Sequence, residues 1–293
     1  MLSLQGTLSP DLIMTSSQNI RSMALFCDFE NIALGVRDAK YAQFDISKVL
    51  ERLLLKGSIV LKKAYCDWDR YKEFKAPMHE ASFELIEIPH LRQSGKNSAD
   101  IRMVVDALDL CYTKSHVDTF VIISGDSDFS PLVSKLRENN KIVIGVGVKN
   151  STSDLLIANC DEFIYYDDLA REKAEKAEKA KKRTGSKKKP AKDVAEAAPK
   201  TPPQPEGGKT PEALDLVMET VEALFAERGE EDKIWGSMVK QALKRRRPGF
   251  NESYYGFRTF SKLLEEAAAR KLLEVAHDEK SGQIIIKNFN PDY

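Results

Sequence analysis

Four aspartates stand where buried elements of the sequence are predicted to end or begin. They are Asp28, Asp100, Asp126 and Asp128. The first follows the apolar run 24–27, the second opens a predicted helix, and the last two follow the apolar run 119–124. Because the carboxyl ends of adjacent parallel strands share one edge of a sheet, we expect these carboxylates to converge there. Two like charges about 4 Å apart repel by ~1 kcal/mol in water and by ~4 kcal/mol at an effective dielectric of about 20, so such a group needs a cation or a bound proton.

A divalent metal ion is the simplest cation for this set. Oxygen-only ligands suit Mg²⁺ or Mn²⁺ better than zinc, which prefers His and Cys. A metal held by carboxylates activates water and stabilises the negative charge of a phosphodiester under attack. Each aspartate on its own is better explained as a turn or helix-cap residue, and Asn31 and Ser98 could both be helix caps.

The elements that would position these residues alternate between strand and helix. From residue 24 to about 168, apolar runs such as 119–124 and 142–146 are separated by segments with helical spacing, among them the helix that contains Ile101, Val104, Val105 and Leu108. Strands separated by helices predict an α/β fold, a mostly parallel Rossmann-like sheet with helices on both faces.

Composition predicts a chain of about two domains that contains no membrane span. The length is 293 residues, and domains of about 100–200 residues are typical. No apolar run reaches the ~18 residues that a membrane span needs, and the first 22 residues do not have the pattern of a secretory signal. The four cysteines are 39 or more residues apart, so they predict neither a zinc knuckle nor a disulfide framework. We therefore expect reduced thiols and a cytoplasmic protein.

Changes in composition along the chain predict five segments. The stretch 181–192 contains seven positive charges and no negative one, and 198–210 is rich in Pro and Gly, which is typical of a disordered linker. After it, apolar spacing predicts helices near 211–228, 234–244 and 257–271, followed by a β-hairpin over 272–287. The expected segments are a disordered leader (1–22), an α/β domain (23–168), a charged helix with a basic linker (169–210), a small winged-helix-like domain (211–288) and a tail (289–293).

Three stretches of the first domain, 24–31, 96–101 and 121–129, resemble the motifs of the NYN domain in their order along the chain. This family is a branch of the PIN-like nucleases, and the resemblance extends over about residues 23–168. It implies a metal-dependent ribonuclease that uses Mg²⁺ or Mn²⁺. The acidic residues of the family, which hold the metal and carry the catalysis, fall here on Asp28, Asp100, Asp126 and Asp128.

The same resemblance implies contacts with substrate for four other residues. Asn31 would orient the substrate or a ligand carboxylate, and Lys96 would meet a phosphate. Ser124 and Ser127 would form hydrogen bonds around the site. For Lys96 an ordinary exposed lysine, and for the two serines a role in the turn, are the plainer explanations.

Two other enzyme classes share part of this pattern. In haloacid-dehalogenase-like phosphatases the first strand ends in Asp-x-Asp, whereas this chain has Asp-Phe-Glu-Asn at 28–31. Toprim domains combine an Asp-x-Asp strand end with a glutamate after an earlier strand, which Glu30 could supply. The motif from Lys96 to Asp100 would then have no explanation, so both classes fit less well.

The C-terminal segment resembles the LOTUS (OST-HTH) domain, a small winged helix, over about residues 210–288. The stretches that carry this resemblance are 249–256, 257–264 and 284–287. The family implies RNA binding or a protein partner, and the basic run just before these stretches would contact RNA phosphates. That run consists of Lys244, Arg245, Arg246 and Arg247. A solvated helix end, with the nearby aromatic residues Tyr254, Tyr255 and Phe257 in the core instead of stacking on bases, is the alternative.

Together these patterns predict a metal-dependent ribonuclease that hydrolyses RNA phosphodiester bonds and has a C-terminal RNA-recognition domain. The basic linker would raise the local RNA concentration or serve only as a soluble tether. The expected partners are RNA, possible RNA-processing proteins and a possible second copy of the chain. The alternative of another class is a non-catalytic RNA-binding or scaffold protein that keeps the same fold.

Overall fold

The computed structural model describes residues 21–41, 43–88, 98–171, 209–228, 233–278 and 281–290. Most of the predicted leader and basic linker, together with Lys96, lies outside the described residues. Among the described residues, no helix combines the length and the apolar character that crossing a membrane requires.

Strands and helices alternate through residues 21–171. The strands are β1 (Arg21–Asp28), β2 (Gly57–Cys66), β3 (Glu84–Glu87), β4 (Thr119–Ile123), β5 (Ile142–Gly147) and β6 (Glu162–Tyr165). The helices are α1 (Phe29–Asp38), α2 (Ile46–Leu54), α3 (Lys72–Glu80), α4 (Ser98–Thr113), α5 (Ser130–Glu138), α6 (Asp154–Asn159) and α7, described over 166–171. Short 3₁₀ turns follow β4 at Ser127–Phe129 and β5 at Lys149–Ser151.

The six strands form one sheet in the order β3-β2-β1-β4-β5-β6, and every pairing is parallel. The chain runs from β1 outward to β3, returns through α4, and then runs from β4 outward to β6. β1 and β4 are direct neighbours, with Cys27 opposite Ile123. The predicted parallel α/β fold is therefore confirmed. In a doubly wound sheet, ligands bind where the strand order reverses, which here is beyond the carboxyl ends of β1 and β4.

Helices cover both faces of the sheet because successive strand residues point to opposite sides. Met23 and Leu25 of β1 belong to one hydrophobic cluster with residues of α1, α2 and α3. Ala24 and Phe26 belong to a second cluster with residues of α4, α5 and α6. The central strand β1 is therefore anchored from both sides.

Helix α1 is an element that the sequence prediction lacks. β1 passes into it without a loop, because Asp28 is both the last residue of the strand and the N-cap of the helix. Asn31, considered as a cap from sequence, lies in the first turn instead. The apolar pair Ile32 and Val36, one helical turn apart, is the signal that could have identified α1.

The C-terminal part contains the predicted helices and hairpin with small changes. Its elements are α8 (Lys209–Arg228), β7 (Ile234–Trp235), α9 (Gly236–Arg246), α10 (Phe260–Ala269), β8 (Leu273–His277) and β9 (Ile284–Phe289). The three strands form an antiparallel sheet in the order β7-β9-β8. The second helix begins only at Gly236, since Ile234 and Trp235 pair with β9. The assignment of the C-terminal part to the winged-helix class, and to the LOTUS family, stays a prediction.

The two parts of the chain contact each other along the edge strand β6. The backbone amide of Phe163 donates a hydrogen bond to the carbonyl of Pro248 at 3.0 Å. Lys244 Nζ lies 3.3 Å from Glu162 Oε1. We call this contact the seam, and it consists of Glu162, Phe163 and Asp168 on one side and of Lys244, Pro248 and Asn251 on the other.

Candidate active site

Asp28 is held in a fixed position where β1 becomes α1. Its side chain is 8% exposed. One carboxylate oxygen accepts a hydrogen bond from the Ser124 hydroxyl at 2.9 Å, and the other accepts one from the backbone amide of Asn31 at 3.4 Å. These bonds tie the end of β1 to the end of β4 and to the first turn of α1.

The turn after β4 is organised by its own polar side chains. The backbone amide of Asp126 donates to Ser124 Oγ at 3.1 Å, and the amide of Asp128 donates to Asp126 Oδ1 at 3.0 Å. Asn31 Oδ1 accepts a hydrogen bond from the Gly125 amide at 2.8 Å. Ser124 is fully buried, so in this structure it orients Asp28 instead of facing a substrate. Asn31 likewise joins α1 to this turn.

Gly125 explains why the strand ends in Ser-Gly-Asp. A Cβ atom at this position would lie too close to the backbone oxygen of Ser151, so only glycine fits without a shift of the backbone. The Gly125 carbonyl also accepts a hydrogen bond from the Ser153 amide at 2.9 Å. The segment after β5 therefore supports the turn that carries Asp126.

A cleft of about 220 Å³ opens at the carboxyl ends of β1, β2 and β4. Its polar side chains are mostly carboxylates. The carboxylates are those of Asp28, Glu30, Asp67, Asp100 and Asp126, and Asn31 and Tyr65 also line the cleft. Three of the four aspartates predicted from sequence are therefore brought together in one cleft, from β1, from the first turn of α4 and from the turn after β4.

The carboxylates of the cleft raise one another's pKa values. Burial, followed by the nearby charge of Asp100, raises the pKa of Asp28 from 3.8 to about 7, and Asp126 adds to the effect. Burial, followed by the charges of Asp126, Asp128 and Glu30, raises the pKa of Asp100. A carboxylate is destabilised in this way by desolvation and like charge. The cleft thus favours a proton or a cation.

Asp128 and Ser127 lie on the outer rim of this site. Asp128 is exposed, and Ser127 is half-buried in the 3₁₀ turn. Neither lines the cleft, but the charge of Asp128 acts on Asp100. Their predicted roles as a metal ligand and as a substrate contact stay predictions.

Two acidic residues of the cleft, Glu30 and Asp67, are not among the site residues predicted from the NYN resemblance. Glu30 lies in the first turn of α1 and also faces Arg70, whose Nη1 is 3.3 Å from Glu30 Oε1. Asp67 directly follows β2, the neighbour of β1, and so reaches the same edge of the sheet. Its position after a strand is the same signal that identified Asp28.

The basic run lies at the end of α9, and part of it already has acidic partners. Lys244 contacts Glu162 across the seam, and Arg246 forms an ion pair with Glu219. Arg245 and Arg247 are exposed. Their predicted contacts with RNA phosphates stay predictions.

The aromatic residues beside the basic run differ in position. Tyr255 is 7% exposed and belongs to the C-terminal core, and Tyr254 and Phe257 pack against that core. The ammonium of Lys149 also lies over the ring of Tyr254, 3.2 Å from the ring centroid. The core explanation therefore holds for Tyr255.

The donor set of the cleft fits a hard divalent cation, although it is not a closed metal site. Among the described residues, no three His, Cys, Asp or Glu side chains are close enough together to hold a metal ion as they stand. The side chains that converge, those of Asp28, Asp100 and Asp126, offer oxygen atoms, which Mg²⁺ and Mn²⁺ prefer. The raised pKa values of Asp28 and Asp100 reflect negative charge that a cation would neutralise.

The reversal of strand order and the acidic cleft place the chain among α/β proteins whose site lies at the carboxyl edge of a parallel sheet. Residues 22–167 match the family model described as the NYN domain. This segment of the chain is an NYN domain, as its three motifs predict. NYN domains belong to the PIN-like nuclease superfamily, which supports a nuclease-type hydrolase.

Similar proteins match this chain over about half of its length. Proteins named "Meiosis regulator and mRNA stability factor 1" are 27% identical over 161 residues in Xenopus tropicalis and 24% identical over 162 residues in Bos taurus. Each match covers 55% of this chain, which spans only 9% of the length of these relatives. An uncharacterized protein of Methanocaldococcus jannaschii is 28% identical over 139 residues, which are 46% of this chain and 55% of the relative.

A solved structure of a Vibrio parahaemolyticus protein of unknown function also matches, with a TM-score of 0.47 and 28% sequence identity. That match covers 52% of this chain and 97% of the other.

Proposed function

We propose that the chain is a metal-dependent ribonuclease whose active site is the acidic cleft. The observation that carries this proposal is the convergence of Asp28, Asp100 and Asp126 where the strand order reverses, with the pKa values of Asp28 and Asp100 raised by burial and by neighbouring charge. Perturbed carboxylates in a cleft are typical of functional sites. The NYN domain supports a nuclease-type hydrolase, and the name shared by the Xenopus and Bos relatives supports RNA as the substrate.

In this proposal Asp28, Asp100 and Asp126 would hold Mg²⁺ or Mn²⁺, with Asp128 at the rim. A divalent ion supplies activation of water and neutralisation of phosphate charge. The hydroxyl of Ser124 keeps the Asp28 carboxylate oriented, and Asn31 keeps the turn after β4 against α1. Since rigid ligands bind with little loss of conformational freedom, these two residues would support the site without touching the substrate.

The substrate must also be attracted to a cleft that is itself acidic. Lys96, the basic run 244–247 and the basic linker are the cations that we propose for this task. The C-terminal part, as a LOTUS-like winged helix, would hold or select the RNA. Contacts of this kind with phosphates are independent of sequence and weaken with salt.

The test is cleavage of end-labelled single-stranded RNA and of DNA with the matching sequence, in Mg²⁺, Mn²⁺ or EDTA. The wild type is compared with Asp28→Asn and Asp126→Asn. Asp38→Asn, an exposed aspartate at the end of α1, is the matched control. We expect metal-dependent RNA cleavage that falls more than about a hundredfold in the first two variants, because metal binding contributes several kcal/mol to catalysis, and is unchanged in the control.

The non-catalytic alternative is favoured by the fact that no three potential ligands among the described residues are close enough to hold a metal as they stand. It predicts that no cleavage occurs in any metal and that RNA binding, measured by fluorescence anisotropy in EDTA, is the same for wild type and both variants. That result would replace the ribonuclease proposal with an RNA-binding module.

A further inference from the structure

Helix α4 is apolar on two opposite faces. Met103, Ala107 and Cys111 are buried against the sheet. On the far side, Ile101 is 63% exposed and Val105 is 56% exposed. The spacing that predicts this helix from sequence therefore includes residues that the fold leaves on the surface.

The exposed residues form one continuous stripe. At about 100° per residue, Ile101, Val105, Leu108 and Tyr112 lie within an arc of about 60°, opposite Met103. Tyr112 is 66% exposed, whereas Leu108 is half-buried and also packs against the hydrophobic cluster under the helix. We call these four residues the α4 stripe. Single exposed apolar residues are ordinary, but a stripe at helical spacing is typical of a helix that packs against a partner.

The charges along the stripe indicate which partner fits. Arg102 and Asp109 each directly follow a stripe residue, are seven residues apart, and therefore lie on the same flank of the helix. Arg102 Nε also lies 3.0 Å from Asp106 Oδ1 of the same helix, so its guanidinium would be shared between Asp106 and the other copy. In an antiparallel pair of identical helices, each flank faces the same flank of the other helix in the reverse direction. Arg102 of each copy would then meet Asp109 of the other, which gives two symmetric ion pairs.

We propose that α4 is the contact between two copies of this chain, paired antiparallel about a twofold axis through the α4 stripe. A parallel pair would instead place Arg102 and Asp109 against the opposite flank, which carries Val104 and Cys111. A shallow groove of about 540 Å³ beside the stripe would receive side chains of the other helix. It is lined by Ser98, Ile101, Arg102, Val105, Asp106 and Asp109.

The size of this surface predicts a weak dimer. A helix of 16 residues is about 24 Å long, so one helix pair buries less than the ~1,200 Å² of a standard interface. We expect a dissociation constant in the micromolar range. Since Asp100 lies in the first turn of α4, the contact would also steady the helix that carries one of the cleft carboxylates.

The experiment is sedimentation equilibrium of the full chain from micromolar to millimolar concentration. The wild type is expected to change from monomer to dimer, and Val105→Asp to weaken the dimer by about a hundredfold or more, because a charge would be buried without a partner. The control is Leu54→Asp, which is 59% exposed at the end of α2 on the opposite face of the sheet and should dimerise as the wild type does.

Exchange of the two flank charges tests the antiparallel arrangement itself. Asp109→Arg would bring two arginines together and Arg102→Asp two aspartates, so each should weaken the dimer, whereas Arg102→Asp/Asp109→Arg should dimerise more strongly than either. The Arg102→Asp variant is the control for the loss of the pair between Arg102 and Asp106 within the helix. Circular dichroism of each variant checks that the fold is kept. A chain that stays monomeric at every concentration, a dimer that Val105→Asp does not weaken, or a double variant no better than Asp109→Arg would overturn the proposal.

Discussion

Asp28 in the cleft and Glu162 in the seam are both largely buried carboxylates of the same sheet, yet their environments change their pKa values in opposite directions. Burial raises both. At Asp28 the neighbouring charge of Asp100 adds to this, and the pKa rises to about 7. At Glu162 hydrogen bonds and charges from Lys56 and Lys244 outweigh burial, and the pKa falls.

The difference lies in the cations that the fold provides. Lys56 Nζ is 2.9 Å from Glu162, and Lys244 Nζ is 3.3 Å from it. Asp28 has instead a hydroxyl and an amide as hydrogen-bond donors, and other carboxylates as neighbours. An acid that serves the structure is supplied with its cations by the chain. Under the proposed function, Asp28 is left for a metal ion to neutralise, which is consistent with its raised pKa.

Asp28→Asn in EDTA tests this difference most strongly. Because the folded-state pKa of Asp28 is raised above 3.8, the folded state holds its proton more tightly, and the metal-free chain loses stability as pH rises from about 4 through 7. Asn cannot ionise, so the variant should be more stable than the wild type at pH 8 by about 1–3 kcal/mol, after the weaker bond to Ser124 is allowed for.

Urea unfolding of wild type and Asp28→Asn across pH 4 to 8 measures this effect, with Asp38→Asn as the control that should follow the wild type. The gap between the two proteins should widen as pH rises. A variant that is less stable than the wild type at pH 8 would mean that the cleft already neutralises Asp28 without a metal ion.

The cleft was the more predictable of the two regions. The apolar runs 24–27 and 119–124 predicted two parallel strands, and the residues directly after parallel strands lie at one edge of the sheet. Asp28 and Asp126 could therefore be placed together from the sequence alone. The same reasoning fits Asp67, which directly follows β2, but Asp67 belongs to none of the three motifs.

The seam could not be predicted in this way. Glu162 and Lys244 are 82 positions apart, and neither belongs to a periodic pattern that would indicate the other. The sequence assigns Lys244 to RNA because it belongs to a basic run, close to aromatic residues, in a segment that resembles the LOTUS domain. The sequence predicts that Ser124 forms hydrogen bonds around the site, but not that its partner is Asp28, because that depends on the orientation of one side chain within a turn.

Glu162→Gln should have the opposite and somewhat smaller effect. The neutral side chain leaves Lys56 and Lys244 without their shared carboxylate, so we expect a loss of about 1–2 kcal/mol at pH 7. Because the pKa of Glu162 is lowered, its contribution is present above the usual value of 4.5 and is lost as pH falls through the folded-state pKa. The deficit of the variant should therefore shrink in acid.

Guanidinium or thermal unfolding at pH 7 and at pH 3 measures how much less stable Glu162→Gln is than the wild type at each pH. Glu138→Gln is the control, since Glu138 pairs with Lys135 on the exposed surface and its substitution should leave the free energy of unfolding almost unchanged. Equal losses for both variants would remove the distinction between the seam and an ordinary surface pair.

Lys149 joins the two parts of the chain beside the seam, and its partner is an aromatic ring instead of a carboxylate. Its ammonium is 3.2 Å from the ring centroid of Tyr254 and 5.9 Å from that of Tyr165. A double-mutant cycle of Lys149→Met with Tyr254→Leu should give a coupling of about 0.5–1 kcal/mol, as expected for a partly desolvated cation–π contact. The cycle with Tyr165→Leu should give less, because the attraction falls with distance. A coupling to Tyr254 that is no larger than that to Tyr165 would show that this cation–π contact does not help to hold the two parts of the chain together.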